Sequence, residues 1–236
     1  DLTGVHSLTD EMLEDLVKFC PRIRRLSIKN CRKVTGKGLM AIAKYLPELT
    51  AIDMGGSFNI TPSDVIDMVR NHPGTSLGAL TEIHASGLGW TDEMIDILMD
   101  LVGDHLTGLS IGFSPLITAK VGPIIGKAGK TLTSLGMHFC DCMTIDLSIQ
   151  LGKLLPNLRV LDIRGANSIN SITPMLDARA SINGYTIAED DEDHFPFIFV
   201  LARYTSITSS SLVDTRAVHS YDFECIIDGG GLGGGI

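Results

Sequence analysis

The sequence has few aromatic residues, no long apolar run and no excess of basic charge. Aromatic side chains make up only 6% of its 236 residues, so aliphatic side chains must fill most of any core. The longest continuous apolar run, Phe197–Ala202, has six residues, whereas a membrane-spanning helix needs roughly 18. The formal charge of −9 argues against a general nucleic-acid binder. We therefore expect no membrane span and no nucleic-acid partner.

The sequence also lacks regularly spaced cysteines and a signal peptide. Its five cysteines are an odd number at irregular spacing, unlike the pattern of a disulfide-rich secreted domain. Residues Asp1–His6 show neither the basic start nor the apolar stretch of a secretory signal. We predict reduced thiols in an intracellular protein.

What the sequence does have is an internal repeat. The pattern L-x-x-L-x-L, with any aliphatic residue allowed, occurs six times, and its first positions are 26, 31, 26, 26 and 26 residues apart. These matches begin at Ile23, Leu49, Leu80, Leu106, Leu132 and Leu158. A single dominant period indicates one structural unit repeated along the chain.

Each repeat also contains a threonine just before an apolar pattern with helical spacing. These threonines are Thr9, Thr35, Thr61, Thr91, Thr118, Thr144 and Thr173. Threonine is a good N-cap because its hydroxyl accepts a hydrogen bond from a first-turn N–H. Four prolines stand where helices would end, namely Pro21, Pro47, Pro73 and Pro156. Each repeat thus predicts a short strand, a turn, a capped helix and a return.

Stacking follows because one strand and one helix cannot bury their own apolar faces. Stacked repeats form a parallel sheet on the inside of an arc, with the helices outside. We predict an α/β solenoid of about seven repeats of 26 residues over residues 1–180. The longer 31-residue step predicts an extra loop of five residues around His72–Ala79.

Residues 181–236 differ from the rest in charge and composition. They contain 2 Lys/Arg and 9 Asp/Glu, whereas residues 1–180 contain 17 and 19. Phe195–Ile207 predicts a strand in a degenerate terminal repeat or cap, and Glu189–Asp193 an acidic, solvated loop. Six of the seven residues from Gly229 are glycine, which predicts a flexible tail.

The repeats resemble the cysteine-containing leucine-rich repeats. The family pattern C-P-x-L-x-x-L-x-L-x-x-C-x-x-I-T-D-x-x-L-x-x-L matches best at Cys20–Pro47 and Leu132–Pro156, with Cys31 and Cys140 at its strand-end cysteine. This resemblance covers residues 1–180 and implies a leucine-rich-repeat solenoid that binds proteins in the cytoplasm or nucleus. F-box/leucine-rich-repeat substrate receptors of ubiquitin ligases have repeats of this type.

The chain starts partway through a repeat, without an initiator methionine and without an F-box before the repeats. We interpret the sequence as part of a longer protein. In that interpretation, a ligase adaptor would bind through an upstream segment.

The residues between the aliphatic positions of each strand predict the lining of the concave face. We expect a protein partner to contact Arg25, Lys29, Asp53, Glu82, His84, Ser110, Gly112, His138, Asp162 and Arg164. Small residues dominate the two middle strands, and charged residues lie at both ends. This arrangement predicts either a groove for a partner's helix or loop, or small residues that only relieve crowding on a curved sheet.

A basic cluster covers residues 18–47, which contain nine cations and no carboxylate. One interpretation is a docking patch for an acidic or phosphorylated segment. The simpler one, which we favour, is a solvated face of two end repeats. A third is that the acidic run Glu189–Asp193 of the same chain binds there.

No set of residues for catalysis, a cofactor or a metal emerges. Gly122–Thr131 resembles a phosphate-binding loop, but Ile124 stands where its first glycine should be. His138, Cys140 and Cys142 do not have the usual zinc spacing. We predict a non-catalytic protein-recognition module, and the resemblance to the F-box/leucine-rich-repeat receptors implies the substrate-binding part of an F-box-type ubiquitin ligase. The alternative is a structural scaffold or assembly subunit, which predicts an apolar patch on the convex helices.

Overall fold

The computed structural model describes residues 1–76, 78–183 and 199–201. Within these residues one parallel sheet contains seven strands in chain order. The strands are β1 (Arg25–Ser27), β2 (Ala51–Asp53), β3 (Glu82–His84), β4 (Gly108–Ser110), β5 (Ser134–Gly136), β6 (Val160–Asp162) and β7 (Phe199–Leu201). The helices are α1 (Asp10–Phe19), α2 (Gly36–Tyr45), α3 (Pro62–Asn71), α4 (Pro73–Ser76), α5 (Asp92–Val102), α6 (Val121–Ile125), α7 (Ile145–Leu154) and α8 (Thr173–Asn183).

The strands pair in the register that the repeat predicts. Leu26 of β1 stands beside Ile52 of β2, which stands beside Ile83 of β3. The same pairing continues through Leu109, Leu135 and Leu161, and all six side chains are buried in one core. The core therefore runs the length of the stack, between the sheet and the helices.

Threonine capping explains where most helices begin. Thr9, Thr61, Thr91 and Thr144 each accept a hydrogen bond from the third N–H after them. Thr35 accepts one from the second. The predicted caps of α1, α2, α3, α5 and α7 are therefore confirmed.

The helix N-caps predicted at Thr118 and Thr173 are wrong. Helix α6 begins at Val121, three residues after Thr118. A start at Val121 keeps Pro123 in the first turn, where its missing N–H leaves no helical hydrogen bond unmade. Helix α8 begins with Thr173 itself, whose N–H donates to Oγ of Ser171 at 3.2 Å.

The insertion after α3 is more ordered than the loop that its length predicts. It forms the helical turn α4 next to the buried side chain of His72. Nδ1 of His72 accepts a hydrogen bond from Gly74 N–H at 3.0 Å, and Nε2 lies 2.8 Å from the Leu46 carbonyl oxygen. Burial lowers the pKa of His72, and these two contacts suit a neutral imidazole.

The terminal part of the chain is described only in part. Strand β7 pairs with β6 and lies inside Phe195–Ile207, where the sequence predicts a strand. The acidic run Glu189–Asp193 and the glycine-rich end from Gly229 lie outside the described residues, so the division near residue 180 stays a prediction. None of the helices described is long and apolar enough to cross a membrane.

Candidate functional site

A groove of about 640 Å³ on the inner face of the sheet is bordered by residues of β2, β3, β4 and β6 and by residues of the turns that follow each strand from β1 to β6. Seven of the ten predicted binding residues line it: Lys29, Asp53, His84, Ser110, His138, Asp162 and Arg164. Arg25, Glu82 and Gly112 are not part of its lining. The structure therefore brings most of the predicted residues together along one surface.

The charges at one end of the sheet neutralise each other. Arg25 of β1 reaches past the small Ala51 of β2 and binds Glu82 of β3. Its two terminal nitrogens donate to the two Glu82 carboxylate oxygens at 3.1 and 2.7 Å. The Arg25 side chain is 69% exposed, so the pair adds little stability. It does remove two of the charges that the sequence offers to a partner.

The charges at the other end form a buried cluster around Asp162. Arg164 donates to both carboxylate oxygens, at 2.8 and 2.6 Å. Nδ1 of His138 lies 3.2 Å from Oδ2 of Asp162, at ion-pair distance but without hydrogen-bond alignment. Burial by itself would raise the pKa of Asp162, but its contacts with His138 and Arg164 lower it to about 2. Asp162 is therefore ionised and compensated.

The middle of the concave face is not bare at Gly112. A Cβ atom there would lie 2.5 Å from two atoms of the His138 ring, so the imidazole occupies the space that glycine leaves open. Gly136 is in a similar position, because a Cβ atom there would lie 2.6 Å from Oγ of Ser110. The small residues at these two positions accommodate neighbouring side chains, which is the crowding interpretation.

The groove has an aromatic rim that the sequence analysis does not predict. Phe58, Phe113 and Phe139 all line the groove, and Phe113 and Phe139 remain 54% and 39% exposed. Their rings stack with centroids 4.6 Å apart, and His138 packs edge-on against Phe113 at 5.2 Å. The rim thus presents an aromatic surface beside the Asp162 cluster.

Phe113 and Phe139 occupy a left-handed backbone position that other repeats give to glycine or asparagine. The equivalent residues are Gly4, Asn30, Gly56, Gly87, Phe113, Phe139 and Gly165, with φ between 53° and 79°. A bulky residue is unusual at such angles, and the strain costs on the order of 1–2 kcal/mol. Alignment of the repeats alone shows a column of Gly and Asn broken by two Phe, which is the signal that could have located the rim.

The basic cluster is partly neutralised. Lys18, Arg24 and Arg25 form ion pairs with Glu14, Glu48 and Glu82, at 2.9, 3.2 and 2.7 Å. Lys44 lies over the ring of Tyr45. Among the described residues, no carboxylate lies within ion-pair distance of Arg22, Lys29, Arg32, Lys33 or Lys37. Positive charge therefore remains available at the β1 end.

The strand-end cysteines are structural. The Cys31 thiol is buried and donates to the Leu2 carbonyl oxygen at 3.1 Å, and Cys140 is buried at the matching position. Burial raises the pKa of both thiols and raises that of Cys142 to about 12. Protonated thiols are poor nucleophiles and poor metal ligands.

Comparisons with known proteins agree with this architecture. No known protein-family profile matches the chain. Antagonist of mitotic exit network protein 1 from Candida glabrata is 21% identical in an alignment of 181 residues that covers 74% of this chain and 29% of that protein. The chain thus spans less than a third of that relative.

Two solved structures share the fold. A chain of the yeast Rad7–Elc1 complex superposes with a TM-score of 0.63 at 17% identity, over 89% of this chain and 57% of that one. The leucine-rich-repeat-containing protein LegL7 from Legionella pneumophila gives a TM-score of 0.51 at 17% identity, over 77% and 59%. The chain is therefore a leucine-rich-repeat solenoid, as predicted.

Proposed function

We propose that this chain is a non-catalytic recognition module that binds a protein partner along its concave groove. The observation that carries this proposal is the groove itself, which follows the stack from β1 to β6. Five strand spacings correspond to about 24 Å, which suits a segment of protein chain better than a compact small molecule. Charged, polar and aromatic side chains alternate along that length, as a specific protein interface requires.

We further propose that the module is the substrate-binding part of an F-box/leucine-rich-repeat (SCF-type) ubiquitin ligase. The support for this is the cysteine-containing repeat pattern at Cys20–Pro47, which resembles the repeats of those receptors. The fold alone does not support the ligase assignment, because leucine-rich repeats serve many functions.

The alternative of a structural scaffold receives less support from the helices. Their exposed apolar side chains include Met12, Met40 and Ile97, which stand three, five and six residues after their capping threonines. Phe19 and Leu154 are exposed as well, but α3 and α6, which lie between α2 and α5 and between α5 and α7, carry no large exposed apolar side chain, so no continuous stripe crosses neighbouring helices. Isolated exposed apolar residues are ordinary on a protein surface.

Affinity purification of the full-length protein with mass spectrometry tests both proposals. We expect a ligase adaptor and at least one further partner to co-purify. The groove variant changes Lys29, His84 and Arg164 together to alanine, and it should lose the further partner and retain the adaptor. A matched variant changes Lys120, Lys130 and Lys153, which lie outside the groove, and should retain both.

Thermal melting of each variant excludes unfolding as the cause of any loss. A partner retained by the folded groove variant would contradict binding in the groove. A full-length protein that never binds the ligase adaptor would contradict the ligase assignment alone.

A further inference from the structure

The stacked residues Phe113 and Phe139 carry backbone strain that Gly or Asn would avoid at the same position. Both residues have φ near +54°, where Gly or Asn serves in the other repeats. Strained conformations of this kind persist where the surroundings hold them and concentrate at binding sites. Both rings remain substantially exposed, so core packing does not account for them. The pair is therefore a candidate apolar contact for a bound partner.

The residues in the turns that border the groove change from cationic to aromatic along the stack. Arg32 follows the left-handed Asn30 by two residues, as Phe58 follows Gly56. The same turn is therefore cationic after β1 and aromatic after β2. Lys29, just before Asn30, lines the groove. Within the described parts of the chain, neither Lys29 nor Arg32 has a carboxylate at ion-pair distance.

The other charges near the groove are already compensated or bonded. Asp162 is held by Arg164 and His138. Asp53 is the exception, with no cation at ion-pair distance among the described residues, but one of its oxygens accepts the Gly55 N–H at 2.9 Å. A negatively charged partner group is therefore expected beyond Asp53, at the Lys29–Arg32 end.

The geometry sets the spacing between the two contacts. Strands β1 and β4 are three positions apart in the sheet, which corresponds to about 14 Å. An extended chain advances about 3.3 Å per residue, so about four residues bridge that distance.

We propose that the groove binds an extended acidic segment of a partner protein that crosses the strands. An apolar side chain of that segment lies on Phe113 and Phe139, and acidic side chains about four residues away lie at Lys29 and Arg32. This proposal rests on the proposed function and specifies the chemistry of the partner.

Fluorescence polarisation with the full chain and labelled synthetic peptides tests the spacing. Each peptide carries one leucine and a pair of glutamates, separated by about one to eight residues in either order. We expect the tightest binding at a separation of about four and none when lysines replace the glutamates. Affinity that does not depend on the spacing, or equal binding of the lysine peptides, would overturn the proposal.

Variants separate a binding role of the aromatic pair from a structural one. Phe113→Gly and Phe139→Gly remove the rings and relieve the backbone, so we expect roughly tenfold weaker peptide binding with an unchanged or higher Tm. The matched control is Leu116→Ser, which removes an exposed apolar side chain outside the groove and should leave binding unchanged. A lower Tm in both glycine variants, with unchanged binding, would show that the pair is structural.

Lys29→Ala and Arg32→Ala test the acidic contact. Both should weaken the glutamate peptides and leave a leucine peptide without glutamates unaffected. If these variants and the glycine variants bind the peptides like wild type while the groove variant still loses its cellular partner, the inference fails and the proposed function stands. If the groove variant also keeps that partner, both fail.

Discussion

Equivalent turns in the two halves of the groove share a left-handed backbone conformation but place different residues there. The turns after β2 and β3 have Gly56 and Gly87, which reach a left-handed φ without strain. The turns after β4 and β5 have Phe113 and Phe139 at similar angles. The solenoid dictates the backbone conformation at each turn, but it does not dictate the side chain. A costly side chain at such a turn therefore indicates a requirement other than folding.

The two halves differ in their charges as well. The Arg25–Glu82 pair of the first half is exposed, whereas Asp162 of the second half has only 13% of its side chain exposed. A buried charge depends on its partners far more than an exposed one does. The second half thus contains a cluster whose members depend on one another, whereas the β1 end contains an exposed ion pair that adds little stability.

The largest effect is expected from placing a side chain on the glycine beside the aromatic pair. In Gly165→Ala the new Cβ atom would collide with the ring of Phe139, in addition to the strain of φ +78°. We expect a loss of about 2–4 kcal/mol in the free energy of unfolding. The measurement is urea denaturation.

Gly4→Ala is the matched control, because Gly4 has φ +76° and nothing within 4 Å of the new atom. It should cost only the backbone strain, about 1–2 kcal/mol. Equal losses of unfolding free energy in the two variants would mean that the Phe139 ring moves aside without cost. The two halves would then not differ in packing.

Acid should destabilise the second half through Asp162. Its pKa is about 2 in the folded protein and about 3.9 when unfolded, so the folded state favours the ionised form. This contribution is present above pH 4 and is lost as the pH falls towards 2. It amounts to about 2–3 kcal/mol. Urea denaturation of wild type and Asp162→Asn should show different pH dependence in this window, and parallel curves would contradict the assignment.

The first half should respond to acid in a different pH window, through His72. Burial lowers its pKa in the folded state, so protonation favours unfolding. Stability should therefore be complete above about pH 6.5 and fall below it, by at most about 1.4 kcal/mol per pH unit. Urea denaturation between pH 7 and 5 measures this slope. His72→Gln should flatten it, and a variant as pH-dependent as wild type would assign the slope elsewhere.

The smallest effect is expected from Glu82→Gln. It breaks the exposed ion pair with Arg25 and should change the free energy of unfolding by less than about 1 kcal/mol. Differential scanning calorimetry at low salt measures the shift, with Asp162→Asn as the larger reference. A loss as large as that of Asp162→Asn would remove the distinction between exposed and buried charges on which the comparison depends.

Much of the fold could be predicted because it is periodic. Leu26, Ile52 and Ile83 recur in phase, and their phase alone places them side by side in the sheet. Thr35 and Thr144 cap helices for a local reason, since their partners are two and three residues away. The start of α6 was not predicted correctly. Pro123 is tolerated in the first turn of a helix that begins at Val121, but it would lie beyond the first turn of a helix capped by Thr118.

The candidate site was predictable only in part. Column positions identified Lys29, His138 and Arg164 as groove residues, because alternation along a strand settles which face a side chain occupies. Alternation does not show that Arg25 bypasses β2 to bind Glu82, or that His138 covers Gly112. Those outcomes depend on the sizes of residues in neighbouring repeats, which only the folded chain brings together.

The sequence by itself determined the repeat, the parallel sheet, the register and the set of inward-facing residues, because aliphatic side chains spaced at one period can leave water only by stacking. The tertiary structure decided which charges remain available and where aromatic rings meet. The reason is distance, since electrostatic and ring contacts act over a few ångströms, between residues that only the stacked repeats bring together. Two examples are the paired rings of Phe113 and Phe139, and the cations of Lys29 and Arg32, which have no carboxylate at ion-pair distance among the described residues.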